Sequence, residues 1–164
     1  MYKVNNKVMH ALHGLGTIES IEEKEILGSI STFAVVAFDK MQVMVNLQSR
    51  NSSIRTPITS DQVDHVMNNL KTCTPELPSN HNQRHKMILE LIKAGDIEKT
   101  SLVVKGLTIL STKRDLASRD AKALEQSLRL LSEELGNAVG SEPEALIETL
   151  TQACLENEKE LVTA

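Results

Sequence analysis

The spacing of apolar residues changes once along this chain, near residue 57. Before that point it is the spacing of strands. Val8, Leu12, Ile18, Ile21 and Ile26 stand apart among polar positions. Phe33-Ala34-Val35-Val36-Ala37-Phe38 is a dense run of β-formers, and Met41 to Leu47 alternates with Met41, Val43, Val45 and Leu47 on one face. Alternation over so few residues predicts half-buried strands rather than helix. His13-Gly14-Leu15-Gly16-Thr17 is the hinge of the run, Gly28-Ser29 punctuates the next pair, and Asp39-Lys40 suits a two-residue hairpin turn of open type. The polar stretch Ser49–Ser53 closes the region. The pattern predicts a small, strongly curved antiparallel sheet or partial barrel of about four or five strands.

After the extended piece Ile54–Ile58, where Pro57 holds Thr56 out of helix, the period becomes helical. Thr59 with Gln62 has capping-box spacing and opens a first helix over 60–72. A proline-containing linker, Thr74–Ser79, leads to a second helix over 80–94 with Met87, Ile88, Leu91 and Ile92 on one face and Gly95 as its stop. Asp96 caps a third, whose internal Gly106 costs about 1 kcal/mol relative to Ala and marks a close helix contact. Ser118 caps a fourth, striped with Leu124, Leu128, Leu131 and Leu135 and ended by Gly140. Pro143 opens a fifth, expected to fray from Glu156. Strands first and helices after predict an α+β chain of two segregated modules, residues 1–56 and 57–164.

The motifs of the β region carry a resemblance. Lys7-Val8-Met9-His10, then His13 to Gly28 with its Gly-rich turn and Ile21-Glu22-Glu23-Lys24-Glu25-Ile26, then Met41-Gln42-Val43-Met44-Val45, resemble the N-terminal module of the CarD family. That family comprises bacterial transcription regulators that bind RNA polymerase. The same module is similar to the polymerase-interacting domain of the transcription-repair coupling factor, and the resemblance continues through the helices. It implies a small, Tudor-like β module followed by an all-helical module of about five helices.

Composition narrows the function classes. The chain of 164 residues is 40% hydrophobic but only 2% aromatic, so its core must be aliphatic. A net charge of −4 argues against holding nucleic acid by bulk positive charge. The charge is uneven, however. Residues 78–114 carry seven basic and three acidic side chains, whereas 115–164 carry four and eleven, so a locally basic surface precedes an acidic tail. No secretory leader or membrane span is expected, and Cys73 and Cys154, far apart in the sequence, fit a reduced, cytoplasmic protein better than a disulfide framework.

Catalytic readings fail one by one. Gly14-Leu15-Gly16 would cradle phosphate only ahead of a helix N-terminus, yet a strand pattern follows, so a tight turn is expected. His10 with His13, and His81 with His85, lack third and fourth metal ligands. The glutamates of 133–160 read as solvated helix surface, and Cys73 as an incidental thiol. No enzyme activity, metal or cofactor is predicted.

Met41 to Leu47 has a further use if it lies at a sheet edge, because an edge strand can pair with a strand of another protein. The resemblance implies that pairing: CarD-like modules dock on the polymerase β subunit around the positions matching Val43, Met44, Val45 and Asn46, with a basic residue matching Lys24 nearby. The family often has Pro at the position of Asn46. It also has a Trp at the position of His81 that wedges into the minor groove beside the promoter bubble, an apolar insertion that offsets unstacking. This chain has no Trp. Promoter DNA contacts are therefore expected from His81, Arg84, Lys86, Lys93 and Lys105, as phosphate contacts that position without reading sequence. The alternative is an adaptor that pairs its edge with a protein and leaves DNA untouched. The same edge is also suited to pairing with a second copy, as a homodimer.

Overall fold

The computed structural model describes residues 1–49 and 53–163, with side chains through Glu156. The chain divides into two compact units, Met1–Pro57 and Ile58–Ala164. The first holds five strands among the described residues: β1 Lys7–His10, β2 Gly14–Ile26, β3 Ser29–Ala37, β4 Gln42–Asn46 and β5 Ile54–Arg55. They form one antiparallel sheet in the order β4-β3-β2-β1-β5. A register shift between Ile18 and Ser20 breaks the long β2–β3 ladder, as a β-bulge does. Val8, Ile18, Ala34, Val36, Phe38, Val45 and Ile54 form the core. Most of the polar stretch Ser49–Ser53, expected to end the strand region, lies outside the described residues.

Local chemistry explains the turns. Gly14 has φ of +84° where β1 folds back into β2. Gly16 is fixed by packing: a Cβ there would stand 2.6 Å from the Phe38 ring. The β2–β3 turn is Leu27-Gly28, one residue earlier than the sequence suggested, with φ of +52° and +82°. Two positive φ values in a two-residue loop give the I′ geometry that matches strand twist. This places Ile26 at the hairpin end, beyond the core, and it is exposed. Leu12, in the first turn, and Met41, beside the Asp39-Lys40 turn, are exposed as well, against expectation.

The second unit contains a 3₁₀ turn, Ser60–Gln62, and five helices: α1 Val63–Thr72, α2 His81–Lys93, α3 Ile97–Lys113, α4 Ser118–Val139 and α5 Pro143–Thr163. The Thr59 backbone N–H donates to Gln62 Oε1 at 3.0 Å, as the capping box requires. Asn80 Oδ1 accepts from the N–H groups of Asn82 and Gln83, Asp96 caps α3, and Gly140 ends α4 in the left-handed conformation. The cap of α4 is Ala117, not Ser118. The helix α5 spans Pro143–Thr163, past Glu156.

Two apolar clusters build this unit, and α3 and α4 serve both. Leu70, Val104, Leu131, Leu135, Leu150 and Cys154 belong to one, with α1 and α5 contributing. Ile88, Ile92, Val103, Leu107, Ala123 and Leu130 belong to the other, which holds α2. Sitting between both, α3 is buried on every side from Val103 to Thr108. Gly106 does mark a close approach, though not to a helix: a Cβ would lie 2.7 Å from Leu77 Cδ1 of the α1–α2 linker.

Candidate functional site

In the first unit the candidate residues divide by the pleat. β4 pairs with β3 alone and is an edge of the sheet. The Phe38 N–H donates to the Met41 carbonyl and the Leu47 N–H to the Thr32 carbonyl, each at the hydrogen-bonded positions of the antiparallel ladder. Alternation from those two ends makes Val43 and Val45 hydrogen-bonded positions facing β3. Gln42, Met44 and Asn46 then turn their backbone N–H and C=O groups to the open edge.

Side chains follow the same period. Val45, opposite Ala34, points into the core, and Val43 packs against that core. Val43 and Val45 are therefore not contact side chains; they hold the strand in place. Met44 opposes Val35, Asn46 opposes Phe33, and Lys24 opposes Ser31. Val35, Phe33 and Ser31 alternate along β3, so Met44, Asn46 and Lys24 share one outer face. Met44 is 44% exposed, with half-buried Phe33 and Val35 beside it. Lys24 Nζ lies 3.9 Å from a Glu22 carboxylate on the same face, an exposed pair that leaves the ammonium accessible. The result is a short apolar patch with a cation at one end and free backbone groups along one side. The sequence reading missed Gln42 as a third outward backbone position. Strict alternation from Met44 would have found it.

The histidine pair at the first turn is structural. His10 Nδ1 accepts from the N–H groups of Leu12 at 3.0 Å and His13 at 3.2 Å. The two rings lie 4.5 Å apart and both pack on Phe38. Burial, and then the neighbouring His13, lower the His10 pKa from its ordinary value of 6.5. Its acceptor nitrogen is thus committed to closing the turn.

In the second unit the five basic candidates separate by burial. His81, Lys86 and Lys93 are exposed on α2. Arg84 and Lys105 are corrections: they are 1% and 3% exposed, out of reach of a DNA backbone. Arg84 Nε and Nη2 donate to the Asp120 carboxylate, the closest contact being 2.8 Å. Its Nη1 donates to the Pro78 and Ser79 carbonyls, and Nη2 also to His81 Nδ1 at 3.0 Å. All five guanidinium N–H groups are used. The pair ties the first turn of α2 to the first turn of α4, and an Arg119–Asn82 hydrogen bond of 3.1 Å adds to it. Because His81 Nδ1 accepts from Arg84, the ring proton sits on Nε2.

Lys105 lies in the fully buried part of α3, where its ammonium acts on both thiols. Burial pushes Cys154 up to about 11 and Cys73 upward, while Lys105 opposes both shifts. Neither thiol is activated as a nucleophile. Glu134, expected as solvated surface, is also buried and accepts from the Ile58 N–H at 3.0 Å. Among the described residues no group of three or more His, Cys, Asp or Glu side chains is placed to hold a metal. Among the described residues no helix is long and apolar enough to cross a membrane.

Comparison with known proteins matches both units. The CarD-like/TRCF RID domain model covers residues 2–58, and the CarD C-terminal domain model covers residues 65–151. A protein of Bacillus subtilis (strain 168) named "Putative transcription factor YdeB" is 28% identical over 138 residues, spanning 82% of this chain and 90% of that protein. The fold, the free edge strand and these matches agree: the chain belongs to the CarD family of transcription regulators, with RNA polymerase as the partner of its first unit.

Proposed function

We propose that the first unit docks on the polymerase β subunit by adding a strand along β4, with Lys24 and Met44 on the contact face. One observation carries the reading: the outward backbone groups of Gln42, Met44 and Asn46 lie on an edge strand whose exposed side chains share a face with Lys24. Main-chain pairing supplies affinity in such an arrangement, and the neighbouring side chains supply choice of partner. The test is capture of the isolated N-terminal part of the β subunit. Lys24→Glu and Met44→Glu each weaken binding by about tenfold, the scale of one lost interface contact; unchanged binding in both overturns the docking face.

The helical unit, on this reading, approaches upstream promoter DNA with the exposed side of α2. His81, Lys86 and Lys93 supply the contacts, and the Arg84–Asp120 pair holds the first turn rigid. The effect is a shift between closed and open promoter complexes, as large as the difference in affinity for the two and no larger. An imidazole offers less apolar area than an indole, so His81→Trp lengthens open-complex lifetime, measured by competitor challenge. A shortened lifetime counts against this placement of α2. The burial of Arg84 and Lys105 favours a second reading, an adaptor whose helical unit leaves DNA alone. Promoter association with a salt dependence no steeper than that of polymerase binding selects the adaptor.

A further inference from the structure

The second unit contains a cleft of about 310 Å³ between the α1–α2 linker and the C-terminal half of α3. This is at the small end of the range for ligand pockets. Its walls are apolar, supplied by Leu77, Ile109, Leu110 and linker prolines. Its charged lining has one sign: Arg84, Lys113 and Arg114, and no carboxylate among the described residues. These cations are not equivalent. The donors of Arg84 are all spent on Asp120, His81 and two linker carbonyls, so it forms a fixed wall. Lys113 and Arg114 are exposed at the end of α3, where no carboxylate pairs with them among the described residues.

We infer that this cleft is a binding site for a small amphiphilic anion, a single aromatic system or short acyl chain bearing one carboxylate or sulfonate. The apolar body fills the space beside Leu77, Ile109 and Leu110, where it removes hydrocarbon from water. The anionic head meets Lys113 and Arg114 at the mouth. Two further features favour a built site over a packing gap. Gly106 forms part of the lining and lets the linker approach α3 closely, with Leu77 standing where a Cβ would be. Arg84, another part of the lining, is a fully hydrogen-bonded, 1% exposed guanidinium rather than a mobile surface side chain. The inference stands apart from the reading of α2 as a DNA-facing helix, since neither His81 nor Lys86 lines the cleft.

The test uses the full chain and 8-anilinonaphthalene-1-sulfonate as probe, with fluorescence titration and ¹H–¹⁵N spectra. Saturable binding is expected, with amide shifts confined to the linker through Arg84 and to Gly106–Arg114. Decanoate competes and inorganic phosphate does not. Lys113→Glu and Arg114→Glu, made singly, each weaken the probe several-fold and together roughly tenfold, whereas Lys99→Glu, the same single charge reversal on α3 away from the cleft, alters it less than about twofold. Ile109→Trp, which fills the cleft, abolishes binding; if that variant does not fold, the charge-reversal pair decides. Shifts centred elsewhere, equal competition by inorganic phosphate, or insensitivity to the charge-reversal pair overturns the site.

Discussion

Arg84 shows how a residue's surroundings outweigh its type. On charge it belongs to the basic stretch of 78–114, yet it is buried and paired with Asp120 at 2.8 Å. Removing one member of such a pair leaves the other charged and dry, which is the costly event, not the loss of the attraction itself. Asp120→Ala should therefore destabilise the helical unit by about 3 to 5 kcal/mol in chemical denaturation. A loss below about 1 kcal/mol would show that Arg84 reaches water when its partner is gone. His10 gives a pH prediction. Its folded pKa lies below 6.5, so the unfolded chain takes up the proton first. Stability from this group is complete above pH 6.5 and is lost as pH falls toward the folded pKa. His10→Asn keeps an acceptor for the Leu12 and His13 N–H groups but does not titrate. Thermal unfolding of the variant should therefore lose less stability between pH 7 and 5 than the wild type. An identical decline in both would assign the pH dependence to other groups.

At the scale of elements, much of the fold was legible because local chemistry encodes it. The alternation of Val43 and Val45, the cap at Asp96 and the stop at Gly140 all act within a few residues of where they are read. What was not legible depends on distant partners. Nothing near Arg84 announces Asp120, 36 residues on. Lys105 looked like surface because it is a lysine, but α3 lies between two apolar clusters and buries whatever stands there. The strand β4 itself was readable, but its place at the edge was not, since strand order is not written in periodicity. At Asn46 the edge position also suits proline: that N–H points away from the sheet, so losing it breaks no ladder bond. The β2–β3 hairpin breaks a local rule, with Leu27 fully exposed in a left-handed conformation that Asn or Gly adopts more readily. Leu27→Asn should stabilise the first unit by about 1 kcal/mol, because the short amide side chain hydrogen-bonds locally and so tolerates the left-handed region; a destabilised variant would mean that Leu27 packs usefully in the folded chain.

At the scale of the molecule, two units with separate cores carry different work. The formal excess of positive charge in 78–114 overstates the basic surface, because Arg84 and Lys105 are inside. What remains exposed there is Lys86 and Lys93 on α2, Lys99 on α3, and Lys113 and Arg114 at its end. This is a modest electrostatic footprint beside an acidic tail, so on the proposed function any attachment to the promoter comes chiefly through the polymerase. Polymerase docking, on the proposed function, therefore depends on the edge strand. The most direct measurement is binding of the full chain to RNA polymerase by the wild type and by Met44→Pro. Proline at position 44 removes one outward N–H and no bond to β3, so the sheet should survive, as circular dichroism will show. Strand addition predicts that Met44→Pro loses polymerase binding by about tenfold or more while remaining folded. Wild-type binding that Met44→Pro leaves intact would contradict it.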